Sequence, residues 1–245
     1  MRGMITALML WAAVAVGQVM EFDGVDQYID VGAIPPSSQM TFAAWVFPRS
    51  YAASIGSYVI SKSYGYTMRY TTNGKLQFAI PSVAAASASN SSIPLNEWSF
   101  AATTWDRDSN VVNYYINGAL DRTVAFSSEP TGSAVTSLGG LTSSYTVDGY
   151  LDSIRIYSSI LTSNQVARLT LDTCEMYEPT LWTNAALHAA AETWDTGYGN
   201  TNLAGAWRGD RTGKGNGNSF TNLPDLSGNG NDGTAYNSPT IEAAR

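Results

Sequence analysis

The residues able to do chemistry in this 245-residue chain are few and scattered. Asp225-Leu226-Ser227-Gly228-Asn229-Gly230-Asn231 puts oxygen-bearing side chains at its first, third, fifth and seventh positions with glycine sixth, which is how an EF-hand calcium loop opens. The twelfth position is Tyr236, where such a loop needs a bidentate glutamate. Asp225 and Asn229 therefore stand either as part of a calcium site or as the polar residues of an Asn/Gly-rich turn that uses positive φ. Glu21 and Asp23 alternate on one stretch as the carboxyl pair of a glycosidase would, but no third acid follows on the same face, and Asp172–Glu178 lies outside any strand pattern. Cys174 and His188 are the only residues of their kinds, and His188 lies in an alanine-rich stretch with no Gly-x-Ser-x-Gly elbow anywhere to serve. Gly209-Asp210-Arg211-Thr212-Gly213-Lys214-Gly215 is one residue short of a phosphate loop and has glycine where Ser or Thr would hold Mg²⁺. Arg208-Gly209-Asp210 is an adhesion-type triplet of a kind that arises often by chance. Catalysis needs convergent groups, and the expectation is that the protein is not an enzyme.

Seven tryptophans and fourteen tyrosines suit a different chemistry. A flat ring stacks on the C–H face of a sugar while amides, hydroxyls or a metal ion hold its hydroxyl groups. Most aromatics are expected in the core. Trp105, Tyr64, Tyr66 and Tyr145 fall nearer to loops and are the ones expected to line a concave face. With charged residues at only 13% and a net charge of -7, the average field repels phosphate backbones, so no nucleic-acid partner is expected. A single cysteine forbids an intrachain disulfide, leaving packing or metal ions to hold the fold.

The elements that would position these groups read as strands. Short β-branched and aromatic runs, broken by Gly, Asn, Ser and Pro, predict strands at Gln27–Val31, Met40–Phe47, Tyr58–Lys62, Tyr66–Tyr70, Lys75–Ile80, Trp98–Trp105, Val111–Ile116, Ala119–Phe126 and Tyr150–Tyr157. Asn73-Gly74 and Asn117-Gly118 are steps that type I′ hairpin turns prefer. In Phe42–Phe47 alternation makes both faces apolar, which predicts a central strand covered on both sides. So many reversals must close on themselves or stack, and the predicted fold is all-β, a two-sheet antiparallel jelly-roll sandwich with one or two short helices after the last main strand. Thr162-Ser163-Asn164-Gln165 has capping-box form and opens one helix; Leu181–Glu192 reads as another. The stretch Gly205–Asp232 reads as mostly loop with one strand near Leu203–Arg208.

Residues 1–18, with Arg2, an apolar run from Met4 to Val16 and small residues at Ala15 and Gly17, read as a secretory signal peptide, the alternative being an uncleaved N-terminal strand. The run is too short for a stable membrane span, which needs roughly 20 apolar residues. The expected location is secreted or cell-surface.

Six segments, in order, carry a resemblance: Phe22-Asp23-Gly24-Val25-Asp26-Gln27-Tyr28, Met40-Thr41-Phe42-Ala43-Ala44-Trp45-Val46, Val59-Ile60-Ser61-Lys62, Asn96-Glu97-Trp98-Ser99-Phe100, Tyr115-Ile116-Asn117-Gly118 and Gly149-Tyr150-Leu151-Asp152-Ser153-Ile154-Arg155. Together they resemble the laminin-G-like/pentraxin-like, concanavalin A-like superfamily over roughly residues 20 to 170. That resemblance implies a calcium ion shared by Asp23 and Asp152, with Asp225 and Asn229 as further ligands if the tail folds back. It places Trp45 and Trp98 in the core. It also implies a non-catalytic recognition module that binds glycan or a cell-surface ligand. The chain then divides into a sandwich over 19–171, a connector over 172–202, and a segment over 203–245 resembling what usually opens such a domain. That segment completes the sandwich in cis or in a neighbouring subunit. The second case gives the alternative reading, a homo-oligomeric fibre or decoration subunit of a virion surface.

Overall fold

The computed structural model describes residues 18–132, 134–141, 145–170, 202–209 and 217–243. The signal-like segment before Gln18, the helix expected at Leu181–Glu192, Cys174, His188 and all but the first residue of the loop Gly209–Gly215 lie outside the described residues.

Among the described residues seventeen strands and one helix follow in chain order. The first seven are β1 (Gln18–Asp23), β2 (Tyr28–Asp30), β3 (Gln39–Pro48), β4 (Ser57–Lys62), β5 (Tyr66–Tyr70), β6 (Leu76–Ile80) and β7 (Ala84–Ala85). Next come β8 (Ser99–Asp106), β9 (Val111–Ile116), β10 (Ala119–Ala125), β11 (Thr136–Leu138), β12 (Asp148–Tyr157) and the helix α1 (Ser163–Leu169). The tail adds β13 (Leu203–Trp207), β14 (Asn218–Ser219), β15 (Asn222–Leu223), β16 (Gly233–Tyr236) and β17 (Thr240–Ala243). They form two antiparallel sheets. The first runs β10-β9-β8-β3-β12-β1-β17-β14 with β13 also on β12, and the second runs β15-β16-β2-β11-β4-β5-β6-β7. This is the expected two-sheet sandwich.

The alternation of β3 explains its central place. Phe42, Ala44 and Val46 point into the core between the sheets, where they meet Tyr66, Met68 and Phe78 of the second sheet. Ala43 and Trp45 point the other way, into a second apolar cluster with Phe100, Ala102 and Tyr115 that α1 covers with Val166 and Leu169. The predicted core residues Trp45 and Trp98 belong to this outer cluster, each less than a tenth exposed. Thr162 caps α1 as expected. Its hydroxyl accepts the Gln165 N–H at 3.3 Å, and Gln165 Oε1 accepts the Thr162 N–H at 2.8 Å.

The two Asn-Gly steps turn differently. Asn117 and Gly118 both have positive φ, 50° and 79°, as a type I′ turn demands. At Asn73-Gly74 only the glycine does, at 77°, and Gly74 donates to the Thr71 carbonyl, so this reversal is a longer loop closed by a left-handed glycine. The tail departs further from expectation, with five strands in place of one. β13 lies against Ile154–Tyr157 of β12, on the side where β1 occupies Asp148–Leu151. β16 pairs with β2, and β17 with β1. These strands are two to five residues long, too short for a periodic pattern among so many Gly and Asn residues to announce them.

The rim of the first sheet carries a pH-sensitive clamp. On β10, Asp121 accepts the Asn90 N–H at 2.5 Å and the Ser91 N–H at 3.2 Å. Partial burial pushes its pKa up, but hydrogen bonds from the Ser91 side chain and from these backbone groups outweigh that and hold it below the ordinary 3.8. A depressed folded value means the unfolded chain takes up the proton first. The stability Asp121 adds is therefore complete above 3.8 and is lost as pH falls through the lower folded value. Asp121→Asn is expected to lower the urea midpoint at pH 7, and the difference from the parent is expected to shrink as pH falls below 3.8.

Candidate functional site

The face of the second sheet that points away from the core is where chemistry-bearing side chains gather. In β5, Tyr66, Met68 and Tyr70 enter the core, so Thr67 and Arg69 must face outward. The register carries that face across the sheet. Asp30 on β2 is opposite Ser137 on β11, Ser137 is opposite Ser61 on β4, and Ser61 is opposite Thr67. One step along, Tyr58 on β4 is opposite Arg69, and Arg69 is opposite Gln77 on β6. A bulge between Tyr58 and Ile60 sends both Val59 and Ile60 into the core and turns Tyr58 outward beside Arg69.

This face is recessed. Ser61 and Thr67 are fully buried, and the chain leaving β11 for the crossing to β12 reaches Ser61, whose hydroxyl Gly140 O accepts at 2.7 Å. Further along the same crossing, Tyr145 O accepts the Tyr58 N–H at 2.8 Å, and the two rings stack at 5.0 Å with 25° between their planes. Tyr58 is 2% exposed and Tyr145 38%, so Tyr145 offers the outer ring face. Burial pushes the Tyr58 phenol's pKa up, although the neighbouring Arg69 guanidinium works against this. The phenol is thus neutral at physiological pH.

Arg69 is fixed by its neighbours. Its Nε and Nη2 donate to Gln77 Oε1 at 3.0 and 2.7 Å, and its Nη1 donates to the Tyr58 hydroxyl at 3.1 Å. Gln77 is itself held, since its Nε2 donates to the Ala86 carbonyl at 2.8 Å. The Arg69 guanidinium also lies 5.4 Å from the Tyr58 ring centroid, a cation–π contact. On β2, next to β11, and on β16 beyond it, Tyr28 and Tyr236 are cross-strand partners whose rings stack at 4.8 Å, nearly parallel at 8°. Between the two aromatic pairs, Ser137 donates to the Asp30 carboxylate at 2.7 Å. Exposed ring faces beside fixed polar groups can bind a polyhydroxylated ligand.

The four residues expected to hold calcium do not come together. Asp23 is opposite Asp148 in the β1–β12 register, and Asp152 lies four positions further along β12, roughly 13 Å away at strand spacing. Asp23 Oδ1 accepts the Val25 N–H at 2.8 Å in an exposed turn. Asp152 is buried, and its Oδ1 accepts the Gly209 N–H at 2.9 Å. Asp225 accepts four donors, the N–H groups of Ala206, Ser227 and Asn231 and the Ser227 hydroxyl, at 2.8 to 3.0 Å. These occupy about the four lone-pair sites a carboxylate has. Asn229 donates its amide to the Leu203 carbonyl at 2.6 Å. The Asp225–Asn231 loop is thus a latch that fastens the tail's turn onto β13, and the shared calcium ion implied by the resemblance does not fit this donor set. Among the described residues no group of three or more His, Cys, Asp or Glu side chains could hold a metal ion.

The aromatics expected at a concave face divide. Tyr145 is there; Trp105 and Tyr66 are fully buried in the core. Tyr64 is exposed at the β4–β5 turn, with Thr131 and Gly132 donating to its carbonyl. A shallow depression near it is lined by Pro36, Pro130, Thr131 and Gly132, none of them charged. Tyr58, Arg69 and Gln77 went unnoticed in the sequence, although the alternation in Tyr66–Tyr70 signals that Arg69 faces away from the tyrosines.

The chain matches the sequence profile of the laminin-G-type family described as the concanavalin A-like lectin/glucanases superfamily over residues 23–167, more than half its length. No curated protein matches it. Among solved structures it is similar to a candidate carbohydrate-binding protein of Bacteroides ovatus, with 16% identity and a TM-score of 0.64. That match covers 93% of this chain and 60% of the other, so the present chain spans less than two thirds of that protein. The heptameric SAP-like pentraxin of Limulus polyphemus is 16% identical with a TM-score of 0.51, covering 64% of this chain and 83% of its own. The CBM40 module of the Ruminococcus gnavus IT-sialidase, solved with α2,3-sialyllactose, is 16% identical with a TM-score of 0.50, covering 62% and 97%. At these identities the structures share the fold.

Proposed function

The chain belongs to the concanavalin A-like lectin/glucanases superfamily, and we propose that within it the protein is a non-catalytic carbohydrate-binding module whose ligand lies on the outer face of the second sheet. One observation carries the reading. That face brings an exposed tyrosine stacked on a buried one and an immobilised arginine together. Sugars are bound by rings that cover their C–H faces and by fixed polar groups that meet their hydroxyls, and both are supplied here before any ligand arrives. The same fold holds a sialyllactose in the Ruminococcus gnavus module, which supports the reading at the level of architecture. The secretory character of residues 1–18 supports a place outside the cell, where such ligands are met.

Glycan-array binding of the full chain, with and without EDTA, is the test. Binding is expected to a restricted set of glycans and to survive the chelator, because Asp23, Asp152, Asp225 and Asn229 do not converge. Tyr145→Ala is expected to weaken the best ligand by about tenfold, the share of one aromatic stacking contact. An empty array in both conditions would overturn carbohydrate binding, and loss of binding in EDTA alone would overturn its independence of metal.

A further inference from the structure

Among the described residues, Arg69 is a buried cation without an anion. Only 9% of it is exposed, and the acceptors around it, Gln77 Oε1 and the Tyr58 hydroxyl, are both uncharged. Two other arginines are ion-paired. Arg49 is bound to both Glu21 and Asp148, and Arg107 to Glu129. Withdrawing a guanidinium from water without a counter-ion costs several kcal/mol per ion, so a fold that keeps one in place has a use for it or a partner to come.

The hydrogen-bond count says where that partner would sit. A guanidinium has five N–H donors. Nε spends its one on Gln77, Nη2 spends one of two on Gln77, and Nη1 spends one of two on Tyr58. Among the described residues one N–H on each Nη has no acceptor, and two such donors on one planar group suit the two oxygens of a carboxylate. Tyr58 links this group to the exposed aromatic, since its ring stacks on Tyr145 and its hydroxyl accepts from Arg69.

We propose that Arg69, held between Gln77 and Tyr58, is an anion subsite that makes this module selective for carboxylate-bearing sugars, uronic or sialic acids, over neutral ones. The inference rests on the carbohydrate-binding reading above and adds the class of ligand. It goes with a defined role for Gln77, whose amide fixes the guanidinium while leaving its charge unpaid.

Calorimetric titration of the full chain with trigalacturonate and with α2,3-sialyllactose, against methyl-esterified trigalacturonate and lactose, tests it. At least one acid is expected to bind tenfold or more tighter than its neutral counterpart, and the two acids distinguish a uronate site from a sialate site. Gln77→Glu places a carboxylate on the same guanidinium. It is expected to abolish the preference without lowering the melting temperature, which separates the effect from misfolding. Equal affinity for acid and neutral sugar, or a preference unchanged in Gln77→Glu, would overturn the inference and leave carbohydrate binding standing. Binding to no glycan at all would instead remove the reading on which it rests.

Discussion

Trp207→Ala is expected to destabilise the domain by about 3–5 kcal/mol, the usual cost of truncating a fully buried tryptophan. For a domain of this size that lowers the melting temperature by on the order of 10 °C, which calorimetry would read directly. Trp207 ends β13, is wholly inaccessible to solvent and sits in the core between the sheets with Met20, Phe22 and Ile154. Its indole N–H donates to the Asn231 carbonyl at 3.0 Å, so the ring also ties the Asp225–Asn231 turn to the sheet. Gly205 lies against the same indole, where a Cβ would come within 2.3 Å of it. The consequence reaches the candidate site. Tyr236 comes from the same tail and stacks on Tyr28 only while the tail strands are paired. A loss of less than about 1 kcal/mol, within the range of surface substitutions, would mean that the tail is not part of the folding unit.

Gly149→Ala is expected to cost about 3 kcal/mol through backbone strain and a direct clash. Gly149 has φ of 144°, and a Cβ there would lie 2.0 Å from the Phe47 carbonyl oxygen. It is flanked on both sides, by Pro48 of β3 and Phe22 of β1, so the backbone has no free direction in which to retreat. The next residue back, Asp148, accepts from Arg49 Nε at 2.8 Å and from the Ser50 hydroxyl at 2.6 Å, so a shift at Gly149 also disturbs the ion pairs that tie β1, β3 and β12 together at this end. Chemical denaturation of the variant measures the sum. A stability equal to that of the parent would show that the three strands give way here without cost.

What could be read from the residues alone follows the length of the signal. β5 and β9 have the predicted bounds, Tyr66–Tyr70 and Val111–Ile116, because each carries enough β-branched or aromatic side chains between clear turn residues. The central position of β3 was legible from two apolar faces. The strands of two to four residues, β7, β11 and β14 to β17, have no room for a period, and their pairing is decided by partners distant in sequence. Register failed for the same reason. Asp23 and Asp152 sit in suitable strands, but which acid faces which is set by the whole β1–β12 alignment, and that alignment selects Asp148. Burial of Trp105 and Tyr66 depended on the opposite sheet, since Phe78 packs on Trp105 at 4.8 Å and Phe42 on Tyr66 at 4.8 Å. The outward direction of Arg69 was written in the alternation of its strand, whereas its missing counter-ion is visible only once Tyr58 and Gln77 are placed beside it.

The most direct test of carbohydrate binding at this face is to follow the backbone amide resonances of the full chain by NMR while titrating the strongest ligand found on the array. The expected result is a contiguous set of shifted amides on β4, β5 and β6 and in the Gly139–Val147 crossing, including Tyr58, Arg69, Gln77 and Tyr145, with little change on the outer face of the first sheet around Trp45 and Tyr115. Shifts concentrated at Trp45, Trp98 and α1, or at the Asp23 turn, would contradict it and move the site to another surface of the sandwich.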